Sequence, residues 1–217
     1  EERRAASPVA YLEGLGFLGP GVLGAHGVWV SDADIQVLKT HNVGISHNPE
    51  SNMKTASGVA PIPAYLKAGV PVGLATDGAA SNNDLDMFEA MRFAALLAKN
   101  ESKDPSTLSA RTVLEMATIR GARALGMEAR LGSLEAKKRA DLITVSVSGA
   151  RQMPMYDPIS HLVYVIHGDD VRNTIVNGQI VMRDRKVLTL DESAVIADAR
   201  AWAVKVRAAV KPAPVSR

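Results

Sequence analysis

Val70-Pro71-Val72-Gly73-Leu74-Ala75-Thr76-Asp77-Gly78-Ala79-Ala80-Ser81-Asn82-Asn83 is an apolar run that ends on a carboxylate and opens into small residues and amides. Its length and valine content predict a short buried strand. The small residues after Asp77 leave the backbone open to close approach, and the amides offer donors to a polar ligand. A carboxylate placed there suits a hard or borderline cation and can accept a proton from a coordinated water. An Asx-turn or a helix cap accounts for the same aspartate without any ligand, and the residues alone leave both readings open.

Toward the N-terminus the pattern repeats. Val22-Leu23-Gly24-Ala25-His26 and Val43-Gly44-Ile45-Ser46-His47 are two further strand-like runs, so each of three predicted strands ends on an ionisable residue. Helical stretches separate them. Residues 8–15 place Tyr11, Leu12 and Leu15 at helical spacing, and Ser31-x-x-Asp34 opens a helix carrying Ile35 and Leu38. A Pro-containing helix over 62–67 closes at Gly69. A helix over 85–99 has Phe88, Met91, Ala95 and Leu96 on one face. Strands alternating with helices predict βα units and a parallel sheet, an α/β fold. In a (β/α)₈ barrel the strand ends hold the active site, which puts His26, His47 and Asp77 at one edge. Each histidine also has a plain structural reading as a hydrogen-bonding residue at a strand end. After Pro49 the Ser and Asn residues read as turn formers. His41, His161 and His167 read as structural or surface residues, and Asp84, Asp86 and Glu89 as carboxylates favoured at a helix start.

Past Gly126 the texture changes. Two short helices over 108–125 are followed by β-rich runs at 142–147, 161–166, 171–176 and 179–182, with Asn177-Gly178 as a hairpin turn. These predict a small antiparallel or mixed β-module. Residues 192–210 read as an amphipathic helix with Val195, Ala199, Trp202 and Val206 on one stripe. The Pro-rich residues from Lys211 on are expected to fray. Residues 1–4, Glu-Glu-Arg-Arg, read as the middle of a charged helix, so a processed N-terminus or a piece of a longer chain is expected. The expected division is 1–126, 127–190 and 191–217.

Composition narrows the function classes. Twenty-five Lys and Arg against 23 Asp and Glu, with 4% aromatics, give neither a basic patch nor a stacking platform, so no nucleic-acid partner is expected. With no cysteine, any metal must be held by His and carboxylate. No apolar run approaches the ~20 residues that span a bilayer, so no membrane partner and a cytoplasmic location are expected. Phosphate-loop, nucleophile-elbow and dinucleotide fingerprints are missing from the sequence.

Ala25-His26-Gly27-Val28, Ser46-His47-Asn48-Pro49-Glu50-Ser51-Asn52-Met53-Lys54, Ala56-Ser57-Gly58-Val59-Ala60-Pro61 and the run from Gly73 to Phe88 resemble the amidohydrolase superfamily. Within it they look most like the 5-methylthioadenosine/S-adenosylhomocysteine deaminases and the related triazine hydrolases. Gly132-Ser133-Leu134-Glu135 and Arg139-Ala140-Asp141-Leu142 resemble the stretch that re-enters the family's composite β-sandwich, with Lys137 in place of a usual glycine.

The resemblance implies the C-terminal portion of a (β/α)₈ barrel, part of a small β-sandwich and a C-terminal helix. It implies one divalent metal, zinc first, with iron or manganese also suited. Asp77 matches the strand-8 aspartate that binds the metal and shuttles the proton. His26 matches the strand-6 histidine that orients the attacking water. Ser81, His47 and Asn52 match positions around the substrate. The family's strand-1 His-x-His and strand-5 His-x-x-Glu are expected upstream of Glu1, in a missing N-terminal half of the barrel. The activity implied is hydrolytic deamination of an aminopurine nucleoside, a small-molecule substrate, by a homo-oligomer. Two alternatives are hydrolysis of an s-triazine on the same scaffold and a non-catalytic fragment that acts only by association.

Overall fold

The structure, a computed structural model, describes residues 7–210. The charged start at residues 1–4 and the Pro-rich tail from Lys211 lie outside the described residues.

Three short strands form a parallel sheet in the order β1 (Leu23–Ala25), β2 (Gly44–His47), β3 (Val72–Leu74). Local sequence sets the helices between them. Helix α1 (Pro8–Gly14) starts where the Ser7 hydroxyl accepts from the Ala10 N–H, with proline in the first turn. Helix α2 (Asp32–Thr40) opens on the full capping box of Ser31 and Asp34. Helix α3 (Pro49–Lys54) begins two residues beyond β2, and α4 (Ile62–Ala68) stops at Gly69, whose φ of 84° is the left-handed conformation of a C-cap. After β3 come α5 (Ala79–Asn82) and the long α6 (Met87–Ser102), capped by the Asp86 carboxylate. Residues 49–54 and 79–82, which the sequence presents as turns, each coil into a single helical segment, helped in α3 by Pro49 at its first position.

The register pairs Ser46 with Gly73 and His47 with Leu74. Alternation then places Gly44, Ser46 and Gly73 on one face of the sheet and Ile45 and Val72 on the other. Ile45 and Val72 join the core made with Ile35, Leu38, Ile62 and Tyr65 of α2 and α4. The opposite face receives α8 (Ile119–Ala124), which follows α7 (Ala110–Met116). Contact there is backbone to backbone. A Cβ on Gly44 would lie 2.1 Å from the Ala124 carbonyl oxygen, and one on Gly73 would lie 2.9 Å from Gly121 Cα. In α6, Phe88, Met91 and Ala95 are buried as expected, with Ala90, Ala94 and Ala98 beside them, whereas Leu96 is exposed.

Strands β4 (Leu142–Val145), β5 (Val171–Val176), β6 (Gln179–Arg183) and β7 (Lys186–Val187) form a separate antiparallel sheet in that order. The Asn177-Gly178 turn joins β5 to β6, with Val176 opposite Gln179. Residues 161–166 are not a strand, as their β-rich composition suggested. They fall largely in helix α9 (Pro158–Tyr164), because Asp157 caps the Ile159 N–H and Pro158 takes the first helical position. Asp86 ties this module to α6: one carboxylate oxygen accepts from Phe88 N–H at 2.8 Å and the other from Gly168 N–H at 2.7 Å. Helix α10 (Glu192–Ala209) has the expected stripe, yet none of its residues is buried, and Val195, Trp202 and Val206 are exposed. No helix among the described residues is long and apolar enough to cross a membrane.

Candidate active site

Both strand ends that flank β2 turn sharply. Strand β1 finishes at Ala25 and the chain enters a left-handed bend at His26 (φ 67°), while the segment after β3 does the same at Asp77 (φ 65°). Such backbone is uncommon outside Gly, with Asn, Asp and His the better-tolerated side chains, and here it turns the chain at both strand ends. The bends bring His26 Nε2 to 3.9 Å from Asp77 Oδ2.

Helix α3 reaches both groups from behind. Ser51 donates its hydroxyl to Asp77 Oδ2 at 2.6 Å, and Ser81 donates to the same oxygen at 2.6 Å. Hydrogen bonds from Ser51, then Ser81, then the Gly78 backbone hold the Asp77 carboxyl at about 2, with nearby His26 adding to the effect. Asp77 is therefore an anion at neutral pH. One residue along, Asn52 Oδ1 lies 2.8 Å from His26 Nδ1. The loop after Asp77 is pinned by Asn82, which donates to Thr76 O and to Glu50 Oε2 at 2.8 Å each, and by Lys54, which donates to Asn83 Oδ1.

A cavity of about 650 Å³ opens on this edge, with His26, Asp77, Ser51 and Ser81 among its polar walls and Val28 and Trp29 among its apolar ones. His47 and Asn52 do not line it: they are 2% and 1% exposed. Burial pushes the His47 imidazole down to about 4, with His26 adding repulsion. A larger cleft, about 880 Å³, lies between the Ser46–Gly73 face of the sheet, α6 and the β4–β5 pair. Its walls include Leu74, Met87, Met91, Leu114, Ile143 and Ile175, and Asp141 is its one ionisable lining residue. That lining is mostly apolar, with a single carboxylate and no imidazole beside it, so the smaller cavity, where an imidazole and a carboxylate meet, is the candidate site.

Of the residues expected from sequence, His26, Asp77 and Ser81 meet at one cavity, while His47 and Asn52 stand behind it. The sequence reading passed over Ser51 and Glu50. Ser51 was hidden inside a segment read as a turn; the signal was Pro49 opening a helix right after the strand. Glu50 is 8% exposed and carries the Asn82 hydrogen bond, and burial raises its carboxyl above the ordinary range. No cluster of three or more His, Cys, Asp or Glu side chains able to hold a metal occurs among the described residues. The donor set fits a divalent ion at one position, Asp77, and falls short of the three or four ligands a mononuclear site needs.

Residues 2–181 match the Amidohydrolase family. The chain belongs to that family. Among curated relatives, this amidohydrolase is 52% identical over 200 residues to 5'-deoxyadenosine deaminase of Methanosarcina barkeri, covering 92% of the chain and 46% of the relative. It is 52% identical over 193 residues to 5-methylthioadenosine/S-adenosylhomocysteine deaminase of Desulforudis audaxviator, covering 89% and 45%. Among solved structures, an adenosine deaminase from Xanthomonas campestris with bound zinc superposes with a TM-score of 0.90 at 38% identity, over 93% of this chain and 46% of that one. An atrazine chlorohydrolase from Arthrobacter aurescens complexed with zinc gives 0.79 at 30%, over 90% and 43%. The amidohydrolase chain thus spans about half the length of the relatives it matches.

Proposed function

We propose that this chain is the C-terminal part of a divalent-metal-dependent deaminase of an aminopurine nucleoside. The observation that carries the reading is an ionised Asp77, fixed by two serine hydroxyls and facing His26 Nε2 across 3.9 Å, in a chain about half identical to nucleoside deaminases. In this reading residues 1–126 belong to a (β/α)₈ barrel, 127–190 to a β-sandwich and 191–217 to a terminal helix and tail. The upstream His-x-His and His-x-x-Glu complete the donor set, and zinc is the favoured ion because similar structures are complexed with it.

Asp77 would hold the ion. When bound, the ion supplies Lewis acidity that makes the attacking water a stronger acid. With its carboxyl held at about 2, Asp77 is ionised and would accept the proton of the attacking water. His26 Nε2 orients the water oxygen as it adds to the amino-bearing ring carbon. The ring nitrogen takes a proton from the upstream glutamate, Asp77 returns its proton to the amine, the C–N bond breaks, ammonia leaves, and the added hydroxyl gives its proton back to the glutamate as the ring C=O forms. Ser81, on the cavity wall, is assigned a substrate contact; His47 and Asn52 support the site from behind. The triazine reading is the weaker one, since those structures are about 30% identical against about 50% for the nucleoside deaminases.

Ammonia release by the complete enzyme from 5'-deoxyadenosine, methylthioadenosine, adenosylhomocysteine, adenosine, guanine and an s-triazine tests the proposal. Turnover of one or more adenosine derivatives is expected. Turnover of the triazine alone, or of nothing in the panel, would overturn it.

A further inference from the structure

His26 is held at its Nδ1 edge, away from Asp77. Asn52 Oδ1 lies 2.8 Å from Nδ1, whereas Nε2 is the nitrogen that faces Asp77 Oδ2. Asn52 is 1% exposed and sits one residue after Ser51 on α3, so its position is set by packing and by the same helix that fixes Asp77. A second amide is close by: Asn48 Nδ2 is 3.4 Å from the same ring nitrogen. That amide is already oriented by Ser46, whose carbonyl oxygen accepts from Asn48 Nδ2 and whose hydroxyl donates to Asn48 Oδ1. The shorter contact, from Nδ1 to a carbonyl oxygen, requires a proton on Nδ1.

We propose that Asn52 is a positioning residue that keeps the His26 ring proton on Nδ1, leaving the Nε2 lone pair aimed at the water beside Asp77. The catalytic part of this inference rests on the deaminase reading; the tautomer does not. An unrestrained neutral histidine side chain carries its proton mainly on Nε2, so in that form the nitrogen facing Asp77 would be a donor and could not accept from the attacking water. Asn52 reverses that preference. Its own Nδ2 has no hydrogen-bond partner in the buried interior, a cost the position carries in order to present its oxygen to the ring.

The test combines the ¹⁵N spectrum of the histidine ring nitrogens with kinetics of the complete enzyme. His26 signals are assigned by their loss in His26→Gln, and the spectrum is read on the alkaline side of the ring's own measured titration. The wild type is expected to show a protonated Nδ1 and a bare Nε2; a proton on Nε2 instead overturns the lock. In Asn52→Leu the proton is expected to move to Nε2, with kcat falling about 10- to 100-fold, the scale seen when a group orienting a site histidine is removed. KM is expected to stay within about threefold, because Asn52 is behind the cavity wall and the loss is in the transition state. Asn52→Asp keeps an acceptor and is expected to keep Nδ1 protonated and most of the activity. If Asn52→Leu does not fold, the wild-type spectrum and Asn52→Asp decide. A tautomer that moves while kcat stays unchanged overturns the positioning role. A wild type with Nδ1 protonated but no ammonia released from any aminopurine supports the lock and sinks the deaminase reading.

Discussion

Asp77 and His26 sit in backbone that few side chains tolerate, and everything around them is arranged to keep their heads fixed. Two hydroxyls on one carboxylate oxygen keep Asp77 ionised at neutral and mildly acidic pH. Asp77→Asn preserves size and backbone preference but removes the charge and the basic oxygen. Its kcat in the complete enzyme is expected to fall at least ~10³-fold by steady-state ammonia release, of the order seen when an essential proton acceptor is lost; near-normal turnover would exclude Asp77 as the proton shuttle.

His47 makes a different prediction, one of stability. Its imidazole is held near 4 in the fold against about 6.5 in the unfolded chain, so on acidification the unfolded chain takes up the proton first. The His47 contribution is therefore full above about pH 6.5, declines between about 6.5 and 4, and is lost below, a fall of about 3 kcal/mol over the window. Urea midpoints across that range are expected to slope less in His47→Asn than in the wild type; equal slopes would refute the burial argument.

At this scale the sequence was legible where chemistry is carried by residue type: a carboxylate or imidazole at a strand end stands out. Ser51 did not, because a serine in a Pro-Glu-Ser-Asn run reads as a turn until the helix is seen. The opposite assignments of Asn52 and Ser81, one behind the wall and one on it, depend on side-chain direction in two short helices that no periodicity announces.

Among the elements, the contact between α8 and the parallel sheet is the least forgiving. Gly44 and Gly73 present bare backbone to Ala124 and Gly121, and no side-chain rotation can make room for a methyl group. Gly44→Ala is expected to lower stability by about 3 kcal/mol, the upper end of ordinary overpacking, because the obstructing atom is a carbonyl oxygen. A denaturant midpoint within error of wild type would show that α8 does not sit where described. The parallel sheet, the capping box of α2, the Gly69 stop and the Asn-Gly hairpin were each readable from a local rule. Residues 161–166 were not, since His-Leu-Val-Tyr-Val-Ile satisfies strand composition while the deciding information, Asp157-Pro158, lies just outside it. Propensity there yielded to a cap.

For the whole molecule, the parallel sheet has three strands in the order β1-β2-β3, so β1 and β3 each have an edge with no partner strand among the described residues. One face of the same sheet borders an apolar cleft of about 880 Å³. With about half the length of its relatives unmatched, our reading assigns the two open edges to the remainder of the barrel, which also brings the missing ligands. The 217-residue chain by itself is therefore expected to retain well under one equivalent of zinc after dialysis, and the complete protein about one, measured by elemental analysis. Stoichiometric zinc on the chain alone would contradict the shared donor set. None of this could be read from composition: the chain has an ordinary polar balance, and the open edges follow from pairing, not from residue content.

The left-handed bends at His26 and Asp77 bear on how such a protein can be engineered. For a histidine this conformation costs about 1–2 kcal/mol relative to the right-handed alternative, whereas glycine occupies it freely and asparagine nearly so. A campaign that selects only for thermal resistance will therefore be drawn toward glycine at both positions and toward asparagine at position 26, gaining melting temperature while discarding the chemistry. Position 26 in particular should be frozen in any such library, because there the heat-stable answer and the working answer are different amino acids.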